Sequence, residues 1–509
     1  MKIQKVKLEN FRGYGTETEI NLCDLSVFVG KNDIGKSTIL EALDIFFNEG
    51  SGIIKMDKDD INKHSESDEI KISVVFSDFP EELTIDTTNP TRLAAEYLLN
   101  DDGNLEIVKK YPKAGKEKVF IKANHPTNTA CSDLLLKKIS DLKQILTDNS
   151  IDCEDKTKSA VIRGSIWQHY ADDLQLEEIE IDVTKEDAKN IWEQLKKYMP
   201  LYVLFQSDRG NSDTDSEVQD PMKLAVKEIL KDVDLADRLN SIAGEIKTKL
   251  DEVANNTLEK LNEMNSDIAE SLTPVIPEPD KLKWADVFKT VSITSDNDIP
   301  VNKRGSGVKR LILLNFFRAE AERKRREDST TSLVYAIEEP ETSQHPAHQR
   351  KLIDAFKALS ATEHTQILLT THSPAIVKLL DFENLQLVKG EDQREVVDVE
   401  KNTLCYPSLN EVNYLAFGES DEEYHNELFG YLEGENLLSD FKSGKPRREY
   451  IWLYKDGTTA LKQLVLSEYI RHQIHHPDNT HNTRFTPEEL QTSIVEMRQF
   501  IKDNESPED

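Results

Sequence analysis

The segment GKNDIGKST, residues 30–38, constrains the fold of this chain more than any other feature. It matches the pattern GxxxxGK[ST] and lies between the apolar run DLSVFVG and the amphipathic stretch STILEALDIFFNE, so a strand, a glycine-rich turn and a helix are expected in that order. In such a turn the glycines let backbone N–H groups close around phosphate oxygens, the lysine neutralises phosphate charge, and the neighbouring hydroxyl ligates Mg²⁺. A glycine-rich turn of purely structural use is the alternative, but the context favours nucleotide binding. The residues expected to hold ATP are Gly30, Asn32, Gly35, Lys36, Ser37 and Thr38, with Ser37 also a metal ligand.

Two further apolar runs end in polar side chains that suit phosphate chemistry. LVYAIEEPET (333–342) closes with Glu338 and Glu339, and QILLTTHSP (366–374) places His372 after the following run. We expect Glu338 to hold the Mg²⁺ shell, Glu339 to orient and polarise the attacking water, and His372 to bond the γ-phosphate. Taken singly, adjacent acids in a solvated loop and a structural histidine are commoner. All three groups in this order favour a catalytic site.

Together these motifs resemble a known family. The segments at 30–38 and 333–339, the SQHP that follows (343–346) and the histidine at 372 resemble an ABC-type ATPase head of the RecF, SMC and OLD class. The opening VKLENFRGYG is similar to the start of those proteins. The resemblance implies an ATPase that hydrolyses ATP to ADP and phosphate.

Two parts of the family pattern are present in altered form. NKRGSGVKRLILLNFF (302–317) resembles the signature loop, with Ser306 and Gly307 at the head of a helix as further nucleotide contacts, but it is not LSGGQ and its serine is shifted by one place. Glu338 stands where the family usually has aspartate. The glutamine of the family's Q-loop has two candidates in this sequence, Gln168 and Gln206.

The spacing of apolar residues predicts an α/β fold. Alternating strands and helices favour an ABC ATPase head made of a mixed β region and a parallel α/β lobe, interrupted by a helical arm and followed by a mainly helical C-terminal module. The expected segments are the first part of the head (1–130), the arm (131–280), the second part of the head (281–404) and the C-terminal module (405–509).

The family resemblance also implies partners. Two heads are expected to meet head to tail around ATP, giving a homodimer or a higher homo-oligomer. The short arm looks like that of OLD-like ATPases in bacterial antiviral defence, which often work beside a nuclease subunit or domain. We therefore expect a nucleotide-switched sensor or scaffold that controls a nuclease effector. A DNA-repair or recombination ATPase of the RecF or SMC type, without a toxic effector, is the alternative.

Composition limits the remaining possibilities. The formal charge of -31 means that the surface as a whole repels polyanions, so a DNA or RNA contact requires a local basic patch. The stretch KSGKPRREYIWLYK (442–455) is the best candidate, with a solvated loop as the alternative. Four scattered cysteines and the lack of an export or membrane-spanning pattern lead us to expect a cytoplasmic protein that does not contact a membrane.

The segment YIRHQIHHPDNTHN (469–482) carries four histidines and one arginine, and it has three interpretations. His472, His476 and His481 are possible zinc ligands, although no cysteine or carboxylate cluster supports them. Arg471 and His476 fit the Rx4-6H pattern of the HEPN ribonucleases. This resemblance implies RNA cleavage without a metal ion. A structural or partner-docking helix end is the third interpretation, and it is slightly favoured.

Overall fold

The computed structural model describes residues 1–48, 54–86, 89–184, 188–206, 233–264, 294–295, 299–300, 332–342, 345–390, 393–399 and 403–504. The chain divides into two compact units, Met1–Ser207 with Thr330–Asp509, and Asp208–Ser329. In the first unit the strands are β1 (Lys2–Glu9), β2 (Thr18–Asn21), β3 (Leu25–Val29), β4 (Glu69–Ser77), β5 (Leu83–Asp86), β6 (Asn89–Thr91), β7 (Leu105–Pro112), β8 (Lys118–Pro126), β9 (Leu176–Asp182), β10 (Leu201–Phe205), β13 (Leu333–Glu338), β14 (Thr365–Thr371), β15 (Leu385–Lys389), β16 (Glu395–Asp398), β17 (Arg447–Leu453) and β18 (Thr459–Val465).

The helices of this unit connect and cover those strands. They are α1 (Lys36–Asn48), α2 (Ile139–Asp148), α3 (Ser159–His169), α4 (Ala188–Leu195), α6 (Pro346–Ser360), α7 (Pro374–Val377), α8 (Leu409–Phe417), α9 (Glu422–Gly434), α10 (Leu438–Lys442), α11 (Leu466–His475) and α12 (Pro487–Asn504). In the second unit the described elements are one long helix, α5 (Val233–Met264), and a short strand pair, β11 (Thr294–Ser295) with β12 (Ile299–Pro300).

Two six-stranded sheets form the head. The first is antiparallel and has the order β2-β1-β4-β7-β8-β9. The second has the order β10-β13-β14-β3-β15-β16, and its strands are parallel except for the antiparallel edge strand β16. The predicted α/β fold, with a mixed β region and a parallel lobe, is therefore confirmed.

The central strands of the parallel sheet are buried on both faces. Every residue of β3, β13 and β14 is buried, which is why their sequences LSVFV, LVYAIE and TQILLTT read as continuous apolar runs with polar residues only at the ends. Helix α1 contributes Ile39, Leu40 and Phe46 to a single core that also contains residues of both sheets. This core fixes the position of α1 relative to the ends of the parallel strands.

The region between the two parts of the head differs from the helical arm expected over 131–280. Strand β9 pairs with β8 in the antiparallel sheet, and β10 pairs with β13 in the parallel sheet, so both belong to the head. The separate unit begins at Asp208 rather than at residue 131. Helical spacing in α2, α3 and α4 concealed this, because helices that cover a sheet have the same period as helices of an arm.

The C-terminal module is mainly helical, as predicted, but it contains a β-hairpin. Its core is formed by side chains from α9, α10, α11 and α12, among them Leu428, Phe441, Ile470 and Met497. The basic stretch 442–455 supplies β17 of the hairpin instead of a solvated loop. Thr486 and Glu489 cap α12 reciprocally, with Glu489 N–H donating to Thr486 Oγ1 and Thr486 N–H donating to Glu489 Oε2.

Candidate functional site

The glycine-rich turn lies between β3 and α1, as its sequence context predicts. Gly30 has φ +155°, and a Cβ built on it would lie 2.7 Å from the carbonyl oxygen of Val388, so only glycine fits at this position. Gly35, with φ +100°, ends the turn, and the hydroxyl of the buried Tyr14 donates to its carbonyl at 3.0 Å. Tyr14 belongs to the opening motif, so that motif supports the turn directly.

Lys36 is folded over the turn at the first position of α1. Its ammonium donates to the carbonyl oxygens of Gly30 at 2.8 Å and Lys31 at 2.7 Å. Burial lowers the pKa of Lys36, and the nearby carboxylates of Glu339 and Glu341 oppose that shift. The lysine charge is thus close to the acidic residues that follow β13.

The two predicted acids occupy the carboxyl end of β13. Glu338 is the last residue of the strand, is buried, and pairs in register with Thr370 of β14. Glu339 leaves the strand with φ +41°, and its N–H donates to the Thr370 carbonyl at 3.0 Å. This turn in the backbone sends Glu339 toward the strand that precedes His372.

His372 follows directly after β14 and meets Glu339. Its Nδ1 lies 2.9 Å from Oε1 of Glu339. The neighbouring Thr371 is in register with Val29, the last residue of β3, so the histidine and the glycine-rich turn extend from adjacent strand ends. Parallel strands bring their carboxyl ends to one edge of the sheet, and this edge holds all the predicted groups between 30 and 38, with Glu338, Glu339 and His372.

Glu341 was not identified from the sequence, and the structure places it in the same site. It is 5% exposed, accepts a hydrogen bond from Thr371 Oγ1 at 2.6 Å, and lies 4.0 Å from Nδ1 of His372. Burial raises the pKa of this carboxyl group. The signal available in the sequence was the third acid of EEPET, which looks like an ordinary loop residue until its burial is known.

Arg12 of the opening motif contacts α1, the helix that follows the glycine-rich turn. Its guanidinium bonds Glu41 of α1 and donates from Nε to Asp60 at 2.8 Å. Gln206, which follows β10 directly, donates to the same Glu41 at 3.3 Å, whereas Gln168 lies on α3. Of the two candidates for the Q-loop glutamine, Gln206 is therefore the one at the end of a strand of the parallel sheet.

The chemistry of this edge fits a magnesium nucleotide. The Gly30 turn is a backbone cradle that a side chain would fill, Lys36 offers a cation beside it, and Ser37 in the first turn of α1 offers a hydroxyl. Mg²⁺ bound with a nucleotide needs only one or two protein ligands, which Ser37 and Glu338 could supply. Ser306 and Gly307, predicted as further contacts, lie outside the described residues.

The C-terminal candidates Arg471 and His476 have different contacts. Arg471 stacks on the ring of Phe429 at 4.4 Å, and its Nη1 lies 3.2 Å from Glu433 of α9. His476, at the end of α11, stacks with His472 at a ring separation of 6.3 Å. The contacts described for Arg471 are with residues of α9 and those for His476 are with His472 and Trp452, so the two side chains have different neighbours within this chain.

The histidines of this module pack with aromatic rings. His472 lies 4.6 Å from Trp452 of β17, measured between ring centroids, and Nζ of Lys462 of β18 lies 3.5 Å from the ring centroid of that tryptophan. In the part of the chain that the structure describes, no cluster of three or more His, Cys, Asp or Glu side chains is arranged to hold a metal ion. The zinc interpretation has no geometric support there.

Partners within the module neutralise much of the basic stretch 442–455. Lys442 lies 3.4 Å from Glu468, and Arg448 lies 2.6 Å from Glu489 while its guanidinium covers the ring of Tyr469. Lys445 also pairs with a glutamate of α12. These pairs join the basic stretch to α11 and α12, which weakens the case for a nucleic-acid patch.

The fold and the convergent strand ends define an α/β protein of the nucleotide-binding P-loop type. Residues 1–377 match the family AAA_15, described as an AAA ATPase domain, and the chain belongs to that family. The predicted ATPase of the OLD-like class is thereby confirmed. Among the described residues, no helix is long and apolar enough to cross a membrane.

Two curated relatives are nucleases by name. The chain is 24% identical over 446 residues to endonuclease GajA of Bacillus cereus (strain VD045), an alignment that covers 86% of this chain and 65% of GajA. It is 36% identical over 104 residues to the OLD nuclease of Thermus scotoductus (strain ATCC 700910 / SA-01), covering 20% of this chain and 19% of that protein. The chain thus spans less than two thirds of either relative.

Among solved structures, the SMC head domain from Thermotoga maritima is similar at 13% identity and a TM-score of 0.32. The alignment covers 79% of this chain and 100% of the SMC head domain chain.

Proposed function

We propose that this chain is a Mg²⁺-dependent ATPase that switches a nuclease effector in bacterial defence against phage. The observation that supports it is the meeting of a glycine-rich turn, two strand-end carboxylates and His372 at one edge of a parallel sheet. Such a set can bind phosphates, orient water and respond to the γ-phosphate, which are the requirements for nucleotide hydrolysis.

The site residues divide the work. Lys36 neutralises phosphate charge, and Ser37 and Glu338 would hold Mg²⁺, which would supply positive charge to offset that of the phosphates. Glu339 accepts a proton from the attacking water and orients it, and His372 Nδ1 lies 2.9 Å from one of its carboxylate oxygens. His372 contacts the γ-phosphate from its exposed side. Gln206 follows β10, the strand next to β13, and is the proposed Q-loop glutamine of this site.

The nuclease connection is supported by the relatives. Both GajA and the OLD nuclease carry nuclease in their names, and this chain aligns with each over part of its length. The C-terminal module is the segment to which the effector function belongs, as a docking surface for a nuclease subunit or through Arg471 and His476 contributed by two chains. The RecF-like alternative predicts DNA binding without nuclease control.

The first test is nucleotide turnover. We expect Glu339→Gln to abolish ATP hydrolysis by at least about 100-fold while the protein still binds a fluorescent ATP analogue, because the neutral amide cannot accept the proton. Lys36→Ala should lose binding as well. Glu363→Gln, at an exposed glutamate before β14, is the matched control and should hydrolyse ATP like the unmodified protein. Normal turnover in Glu339→Gln would contradict the assignment.

The second test concerns the effector. The chain should be purified with the products of its neighbouring genes, and tRNA, total RNA and phage DNA should be incubated with it, with and without ATP. We expect nucleic-acid cleavage that depends on nucleotide state. If Arg471→Ala leaves RNA cleavage unchanged, the effector is a separate subunit. If no preparation cuts any nucleic acid, the result favours the DNA-repair alternative.

A further inference from the structure

Helix α8 of the C-terminal module touches the segment that carries His372. Asn413, in the middle of α8, is 3% exposed, and its Nδ2 donates to the carbonyl oxygen of Pro374 at 3.2 Å. Pro374 lies two residues beyond His372. A proline carbonyl can only accept a hydrogen bond, so the amide nitrogen of Asn413 must face it.

The other side of the histidine is held by the ATPase site itself. The N–H of Ser373 donates to Thr371 Oγ1 at 3.0 Å, and that hydroxyl donates to Glu341 at 2.6 Å. Two groups directly after His372 are therefore bonded: the Ser373 N–H to Thr371, and the Pro374 carbonyl to Asn413 and, at 3.2 Å, to the N–H of Lys378. The bond from Asn413 comes from the C-terminal module.

Asn413 is buried although its side chain makes a single described hydrogen bond. Its Oδ1 is buried and has no hydrogen-bond partner among the described residues, although such a group costs about 1–3 kcal/mol when unsatisfied. An apolar side chain at this position would avoid that cost. The bond to Pro374 is the only described contact of Asn413 that an apolar side chain could not make.

The end of α8 adjoins the glycine-rich turn. Gly418, in the left-handed conformation at φ +71°, ends the helix, and a Cβ there would lie 3.4 Å from Cε of Lys31. Lys31 supplies one of the two carbonyls that bond Lys36. One helix of the C-terminal module thus reaches both the phosphate-binding turn and the histidine segment.

A salt bridge beside these contacts joins the same parts. Lys378, just past α7, lies 3.6 Å from Asp421 and pairs with Glu423 at the start of α9. Exposed ion pairs contribute little to stability, so this salt bridge helps to align α7 with the module but is not the main contact between them.

We propose that Asn413 is a positioning residue for His372, through which the C-terminal module sets the rate of ATP hydrolysis and registers the nucleotide state. The inference rests on the proposed ATPase function. A module that changes position when an effector docks would move the Asn413 amide, shift the Pro374 carbonyl, and take His372 out of reach of Glu339. In the opposite direction, movement of His372 on ATP hydrolysis would shift the Pro374 carbonyl and so displace Asn413 and α8.

Kinetics test the positioning role. We expect Asn413→Ala to lower kcat for ATP by about tenfold or more, while KM and the affinity for a fluorescent ATP analogue stay within about twofold. Asn410→Ala is the matched control, because Asn410 lies on the same helix and donates to Glu427 within the module at 2.9 Å. Equal kcat values for the two alanine variants would overturn the proposal.

A double variant separates positioning from general destabilisation. If Asn413 acts through His372, His372→Ala with Asn413→Ala should be no slower than His372→Ala alone, within about twofold. Multiplied losses in the double variant would mean that Asn413 acts independently of the histidine, which contradicts the proposal.

Hydrogen exchange measures the same contact without any turnover, so it remains informative even if the proposed ATPase function fails. The amides of Ser373 and of residues 375–378 should exchange faster in Asn413→Ala than in Asn410→Ala, because loss of the bond from Asn413 to the Pro374 carbonyl loosens this segment. Unchanged exchange in this segment overturns the positioning role by itself. Absence of hydrolysis in the unmodified protein, with the expected change in exchange, would instead reject the ATPase proposal alone.

Discussion

At the scale of residues, the site combines groups that motif reading finds with groups that it misses. Glu339 and His372 meet at 2.9 Å as their positions after adjacent strands predict. Glu341 is missed because it belongs to the site only through its burial beside Thr371, and a single sequence does not reveal burial. In the C-terminal module the exposed histidines attract notice, yet His425 is the fully buried one and bonds Ser493 through Nε2 at 3.0 Å.

His425 gives a prediction about acid stability. Burial and the neighbouring Arg471 lower its pKa from the ordinary 6.5 to about 3. The folded state therefore binds fewer protons than the unfolded state, and the stability present above pH 6.5 is lost as the pH falls toward 3. At pH 5 the loss from this group is about 2 kcal/mol.

The variant His425→Gln removes the titration and retains a polar group for Ser493. We expect its melting temperature to fall less between pH 7 and pH 5 than that of the unmodified protein, measured by differential scanning fluorimetry. His475→Gln, at an exposed histidine of α11, should leave the pH dependence as it is. The same slope in His425→Gln and the unmodified protein would count against a buried neutral histidine.

At the scale of elements, the two sheets of the head are joined by side chains that sequence patterns do not mark. Gln366 of β14 is buried, accepts from the N–H of Ile3 at 2.7 Å, and donates to its carbonyl at 2.8 Å. Its amide also donates to the carbonyl of Cys23 at 3.2 Å. A glutamine at the start of an apolar run looks like a strand end, but here it substitutes for a strand partner of β1.

Replacing this bridge should destabilise the head. Gln366→Leu keeps the volume but leaves the N–H and C=O of Ile3 buried without their partner, so we expect a loss of about 2–4 kcal/mol in the free energy of unfolding. Urea denaturation followed by tryptophan fluorescence measures it. Gln144→Leu on the exposed side of α2 is the control and should change stability by less than about 0.5 kcal/mol. A loss as small at Gln366 would show that solvent or backbone movement replaces the bridge.

At the scale of the whole molecule, the formal charge of -31 and the internal pairing of the basic stretch leave little attraction for bulk nucleic acid. The proposed control of a nuclease through assembly suits such a surface better than direct coating of DNA. The expected assembly is a pair of heads that share nucleotides, as the family resemblance implies.

Assembly is tested by mass. Glu339→Gln should form a dimer or larger species with ATP and remain smaller with ADP, because blocked hydrolysis keeps the γ-phosphate between the heads. Mass photometry at nanomolar concentrations, with analytical ultracentrifugation at micromolar concentrations, follows the change. Lys36→Ala should show no ATP-dependent increase. An identical mass with ATP, ADP and no nucleotide would remove nucleotide-driven pairing from the proposal.

The sequence by itself determined the α/β head, the glycine-rich turn between β3 and α1, and the polar residues that follow β13 and β14. These features depend on local periodicity and on residue types whose chemistry is fixed at a known spacing. Only the tertiary structure decided that β9 and β10 belong to the head, that Glu341 enters the site, and that Arg471 and His476 point to different partners. The contact of Asn413 with Pro374 belongs to the same group. The physical reason is that strand pairing, burial and hydrogen bonds between residues far apart in the chain depend on the packing of whole elements, which no local pattern encodes.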